Sequence, residues 1–83
     1  MDKYTTFNVI NSMLGKKYKL ALPFSEASRA IICKCDPEQM HQILIMLYAL
    51  RNTSDEIVKQ SADLIKGQTT RTIGFDTQTI DGR

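Results

Sequence analysis

Residues 43–50 read Ile-Leu-Ile-Met-Leu-Tyr-Ala-Leu, eight apolar side chains in succession. Helix signals bracket the run. Asp36 suits an N-cap, Pro37 suits the first helical position, and Gln39 stands where a capping box needs its partner. A surface helix shows one apolar stripe, whereas this one is apolar on every side for two turns. It must therefore be buried on most sides, and the rest of the chain reads as its cover. The run is less than half of the roughly 20 apolar residues that a membrane-spanning helix needs.

The spacing predicts a second helix over 54–66. Ile57, Val58, Ala62, Leu64 and Ile65 form a broad apolar face opposite Asp55, Glu56, Lys59, Gln60, Asp63 and Lys66. Thr53/Ser54 supply the cap, with Thr53 and Glu56 spaced as a capping box, and Gly67 reads as the C-cap. Only about three residues separate this helix from 37–51, so the two form an antiparallel helical hairpin. A third helix is expected over 3–14, with Phe7, Ile10, Met13 and Leu14 on its inner face and Gly15 as its C-cap.

The segments between are less regular. In 16–22, Tyr18, Leu20 and Leu22 alternate with Lys17, Lys19 and Ala21, which is the strand period, and Pro23 ends the segment. It reads as a short edge strand or an extended connector. Ser25 can cap a helix whose inner face is Ala27, Ala30 and Ile31. Alternatively, 29–35 is a strand that pairs with 17–22 as a hairpin. The expected fold is thus mainly α, a small helical bundle of one domain over 1–67, with α+β as the alternative. Residues 68–83 hold five threonines and only Ile73, Phe75 and Ile80 as large apolar residues. They suit a strand better than a helix and read as a flexible tail, with Ile73 and Phe75 as candidate partner contacts.

At 83 residues the chain buries only about 60% of its unfolded surface, so outside help with stability is expected. Cys33 and Cys35 make a poor disulfide framework, and the N-terminus lacks a basic start followed by an apolar core. Together these point to a reducing cytoplasm. Oligomerisation is the remaining helper. One hairpin partner and one N-terminal helix leave Ile45, Met46 and Ala49 uncovered. Exposing each large side chain would forfeit roughly 1.5–3 kcal/mol, and a symmetric dimer resolves this.

Chemistry is sparse. Cys33, Cys35 and His41 are the only soft metal ligands, one short of a structural zinc set, and Asp36 is better used as a cap. No metal or cofactor is expected. The lone histidine has no evident carboxylate to orient it, and Gly15, Gly67, Gly74 and Gly82 are too scattered for a phosphate loop, so no catalytic residue is assigned and the protein is read as non-enzymatic. Charge is uneven: residues 1–35 hold six basic and two acidic side chains, residues 36–67 three and five. Lys16, Lys17, Lys19 and Arg29 are the candidates for contacting anions or an acidic partner.

Two DNA-binding designs come into view. Residues 27–44 loosely resemble a helix-turn-helix, but the second helix has no Lys or Arg to work against phosphates and bases. A ribbon–helix–helix would use strand 29–35, whose two faces are both too apolar to read a major groove. The leading expectation is a small protein–protein interaction module (an adaptor, inhibitor or regulator), homodimeric through 37–51. A dimeric DNA-binding regulator is the alternative. Neither a membrane nor a small-molecule substrate is expected.

Overall fold

A computed structural model describes residues 2–78, with side chains as far as Gln68. Four helices follow one another: α1 (Lys3–Tyr18), α2 (Glu26–Cys33), α3 (Pro37–Leu50) and α4 (Asp55–Gln78). No strand occurs among the described residues. The architecture is a helical bundle, and the 17–22/29–35 hairpin is excluded. The reason lies at Ser25, whose hydroxyl accepts the Ser28 N–H at 3.0 Å and starts α2 as a helix before the adjacent Ile31 and Ile32 can favour a strand.

α3 is the hub and packs against each of the other helices. Met40, Ile43, Leu44, Leu47 and Tyr48 are buried along it. Its start is as expected: Asp36 is the N-cap, Pro37 follows, and the Gln39 Oε1 accepts the Asp36 N–H at 3.1 Å. Phe7 and Leu14 from α1, Ile32 from α2, and Val58, Ala62 and Ile65 from α4 complete the core. Two aromatic contacts fasten α1 to it. Phe7 meets Phe24 edge-on with ring centroids 5.5 Å apart, and Tyr18 lies 5.5 Å from Tyr48.

Several inner faces differ from expectation. Met13 is exposed while Phe7 and Leu14 are buried, so the α1 face is narrower than the sequence spacing implies. In α2 the buried pair is Ser28 and Ile32, with Ala27 and Ala30 exposed. Burying a serine there is tolerable because its hydroxyl donates to the Asp55 carboxylate at 2.7 Å. Leu64 stands 49% exposed, and Ser61 takes a buried place on α4.

The helix ends also move. α1 does not stop at Gly15. It runs one turn further to Lys19, which takes the left-handed conformation (φ 54, ψ 46) and donates its N–H to the Gly15 carbonyl. Glycine at 15 serves a close approach instead: a Cβ there would crowd the Leu20 carbonyl oxygen at 3.2 Å and touch the Tyr48 hydroxyl at an ordinary 3.5 Å. Arg51 ends α3 in the same left-handed way, with φ 54. Residues 19–25 form a connector without strand pairing, in which Leu20, Leu22 and Phe24 turn partly inward and Ala21 and Pro23 face out. The strand-like alternation is real, but no second strand is there to pair with it.

At the hairpin turn the cap is Ser54, whose hydroxyl accepts the Ile57 N–H at 3.3 Å. Thr53 is not the capping-box residue. Its hydroxyl donates to the Pro23 carbonyl at 2.7 Å and ties the connector to the turn.

α4 continues through Gly67 to Gln78, so the backbone of 68–78 is helical where the sequence suited a strand better than a helix and read as a flexible tail. Gly67 lowers helix propensity but nothing forces it left-handed, and it therefore does not terminate the helix. The space around it is open, with nothing within 4 Å of an added Cβ. Gly67→Ala is accordingly expected to stabilise the protein by about 0.5–1 kcal/mol and raise the helical circular-dichroism signal. A loss of stability on this substitution would mean that α4 breaks at Gly67 after all. The side chains of Ile73 and Phe75 and residues 79–83 lie outside what the structure describes.

Candidate functional site

The four basic residues singled out from sequence do not form one cluster. Arg29 lies on α2 beside the first turn of α1, its guanidinium carbon 5.3 Å from the Tyr4 ring centroid. Among the described residues its only ion pair is with Glu26 at 3.9 Å, and its Nε is buried without a hydrogen-bond partner. Lys16 and Lys17 occupy the last turn of α1 and Lys19 its cap. Tyr4 and Lys16 are twelve residues apart, about 18 Å at the helical rise of about 1.5 Å per residue. Arg29 therefore stands at the opposite end of α1 from the three lysines.

Lys16 and Lys19 share a groove with Asn11, Ser12, Gly15, residues 20–22 and Tyr48. The groove exists because the 19–22 connector folds back against the end of α1, where the Leu20 N–H donates to the Gly15 carbonyl at 3.0 Å. Tyr48, only 1% exposed, reaches across from α3, and its hydroxyl donates to the Asn11 Oδ1 at 2.7 Å. Lys17 points elsewhere, with its Nζ 6.0 Å from the Tyr18 ring centroid. Nothing in the sequence ties Asn11 to Tyr48, which are 37 positions apart, so the groove was not legible there.

The second surface is the outer side of the helical hairpin. At about 100° per residue, Ile45, Met46 and Ala49 fall on the side of α3 opposite Met40, Leu44 and Leu47. Ala49 is exposed; Ile45 and Met46 are half-buried against the core margin, more covered than the sequence implied. Leu50, not foreseen, continues the patch and is 57% exposed. The same rotation puts Ile57 and Leu64 on one flank of α4. The opposite flank carries Asp55, which is bonded to Ser25 and Ser28 beside α2, so Ile57 and Leu64 lie on the flank toward α3. Leu64 could have been noticed, because it is the apolar residue furthest from the centre of its helix stripe.

Asp55 has a structural part. Its Oδ1 accepts from the Ser25 hydroxyl at 2.6 Å and the Ser28 hydroxyl at 2.7 Å, clasping the start of α2 to the start of α4. These two bonds, Ser25's first, hold its pKa below the usual carboxylate range. A depressed folded-state pKa means that the clasp contributes fully above the unfolded value, about pH 4, and is lost as pH falls through the lower folded value. Denaturation midpoints measured from neutral to strongly acid pH should fall on the acid side. Asp55→Asn should flatten part of that fall, the remainder including Asp2, whose carboxylate is likewise depressed, chiefly by the Thr5 backbone N–H. An unchanged acid limb in Asp55→Asn would show that the clasp does not form in solution.

The cysteines lie where α2 ends. Cys35 is buried, with its Sγ 3.7 Å from the Ile31 carbonyl oxygen; Cys33 is half-buried, with its Sγ 3.9 Å from the Lys3 carbonyl oxygen. Burial, as the largest influence, pushes both thiols up, so neither is an activated thiolate. Among the described residues no three His, Cys, Asp or Glu side chains come together as a metal set. Nor is any helix long and apolar enough to cross a membrane. Set against known proteins, the chain matches no family model, no curated protein and no solved structure.

Proposed function

We propose that this protein is a small non-enzymatic interaction module, an adaptor, inhibitor or regulator, that pairs with a second copy of itself through the outer face of α3. The observation that carries the reading is the uncharged stripe Gln42, Ile45, Met46, Ala49 and Leu50 on α3, beside which helical rotation sets Ile57 and Leu64 on the flank of the neighbouring α4. Leu50 and Leu64 are each about half exposed, and their burial is the kind of gain that drives association. A two-fold axis across α3 would make the patch self-complementary. Lys16, Lys17 and Lys19, at the end of α1, would steer an acidic partner without taking part in the pairing. The reduced, unpaired cysteines are compatible with action in the cytoplasm.

Sedimentation equilibrium over a wide concentration range tests the pairing. A dimer is expected, and Ala49→Arg should raise its Kd at least about tenfold, or about 1.4 kcal/mol, while leaving the thermal midpoint of the monomer nearly unchanged. Ala49 is exposed, so this change avoids the risk that Met46→Asp unfolds the chain. A wild-type protein that stays monomeric, or an Ala49→Arg dimer of normal affinity, rejects this interface.

One observation favours a second reading. α2 and α3 are joined by three residues, 34–36, which is the element order of a helix-turn-helix. A dimeric DNA-binding regulator of that type is the alternative. The ribbon–helix–helix version loses its basis, since 29–35 is helix and turn. Against the alternative, α3 carries no Lys or Arg, and five of its residues are committed to the core. Salt-sensitive DNA retention, abolished by changing Lys16, Lys17, Lys19 and Arg29 to Glu, would decide for it.

A further inference from the structure

We infer that the groove at the end of α1 is a binding site for a phosphate monoester carried on an apolar or aromatic body. This goes beyond the pairing through α3 and does not depend on it. The groove is an open depression of about 430 Å³ between the last turns of α1 and the 19–22 connector. Apart from the Tyr48 hydroxyl, whose proton goes to Asn11, its polar side chains are able to donate. Lys16 and Lys19 bring two positive charges, and Ser12 brings a hydroxyl. Asn11 presents its NH₂ end, because its Oδ1 already accepts the Tyr48 hydroxyl at 2.7 Å.

No carboxylate lines the groove, and among the described residues neither lysine has an ion pair. Two uncompensated cations with two neutral donors match a doubly charged tetrahedral oxyanion better than a single carboxylate. The negative end of the α1 dipole opposes an anion here, but it amounts to roughly half a charge against two full ones. Part of it is also already satisfied, since the Gly15 carbonyl accepts from both Lys19 and Leu20.

The remainder of the lining is Leu20, Ala21, Leu22 and Tyr48, which selects for an apolar body behind the phosphate. Gly15 keeps the space clear: a Cβ there would crowd the Leu20 carbonyl oxygen at 3.2 Å. Nothing in the groove is arranged to break or form a bond. The protein would hold this molecule as a ligand, not turn it over.

The test is a titration of the ¹⁵N-labelled full chain, followed by amide chemical shifts at constant ionic strength. The probes are phenyl phosphate, a nucleoside monophosphate and inorganic phosphate. Saturable shifts are expected at Ser12, Gly15, Lys16 and residues 19–22. Inorganic phosphate should bind at least about fivefold more weakly than the better ester, because it buries no apolar surface. Tighter binding of phenyl phosphate identifies an aromatic ester, such as a phosphorylated tyrosine side chain. Tighter binding of the nucleoside monophosphate identifies a nucleotide.

Lys16→Gln with Lys19→Gln should weaken the better ester by about tenfold or more, and Lys59→Gln, on α4, should leave it unchanged. Both replaced lysines are exposed, and the amide spectrum itself reports whether the variant is folded. Shifts that never saturate, or that spread equally to Lys3, Lys34 and Lys59, would reduce the site to general charge screening. Equal affinity for all three probes would overturn the ligand class.

Discussion

Leu44→Ala is expected to lower the thermal midpoint by roughly 8–40 °C, one of the two largest effects of the changes considered. Leu44 is fully buried in the middle of α3, the helix that every other helix touches. Truncating a leucine in such a position removes its transfer free energy and leaves a cavity, together about 2–5 kcal/mol. A domain of this size has a total stability of roughly 4–12 kcal/mol, so a substantial fraction would be lost. In a 60–100-residue domain each kcal/mol moves the midpoint by about 4–8 °C, which gives the range stated.

The internal control is Leu50→Ala, six residues along the same helix. Leu50 is 57% exposed, and its truncation should cost under about 0.5 kcal/mol in the monomer. Thermal and urea denaturation of both variants decides the matter. Similar losses in the two would mean that the burial pattern of α3 is wrong.

An effect of the same size is expected at Tyr48, and it divides into two parts. The ring is buried beside Tyr18, and the hydroxyl is bonded to Asn11. Tyr48→Ala removes both and should cost about 3–5 kcal/mol, as for other large aromatic residues in cores. Tyr48→Phe keeps the ring and strands the partly buried Asn11 carboxamide oxygen, at about 1–3 kcal/mol. The cost of the hydroxyl should shrink when Asn11 is already alanine, because the 2.7 Å side-chain acceptor is gone and only the Asn11 backbone carbonyl, at 3.3 Å, is left to accept. A double-mutant cycle measured by chemical denaturation reads that coupling directly. A Tyr48→Phe protein as stable as wild type, with no coupling to Asn11, would show that α1 and α3 are held by apolar contact alone.

Much of the architecture was legible because its signals are local. The apolar run at 43–50, the Asp36-Pro37 start and the Gln39 return bond all lie within fifteen residues, and α3 forms as the sequence implies. The hairpin with α4 follows from the short polar stretch after Leu50. The two missed helix ends are both at glycines. Gly15 and Gly67 look like stops, but α1 runs on to a left-handed Lys19 and α4 runs through Gly67, whereas α3 ends at Arg51 as the sequence implied. A basic residue can take that conformation when the chain beyond it is held in place, and the sequence does not announce it.

The candidate sites divide in the same way. The outer stripe of α3 could be read from helical rotation alone, and so Ile45, Met46 and Ala49 were named from sequence. Its extension to Leu50 and Leu64 needed knowledge of which flank of α4 meets α3. The lysines near Gly15 were visible as a charge cluster. Their groove was not, because its wall and floor come from residues brought together by the fold.

By itself, then, the sequence determined a helical chain with one helix too apolar to stand in water, and the order of cover around it. Backbone hydrogen bonds, caps and side-chain period act over a few residues, so they can be read in order along the chain. Only the tertiary structure decided that Arg29 parts company with the lysines, that Asp55 clasps Ser25 and Ser28, and that Tyr48 closes on Asn11. Those outcomes depend on how four helices rotate about their axes when they pack. That rotation is set by the summed burial of the whole core, which no local stretch encodes.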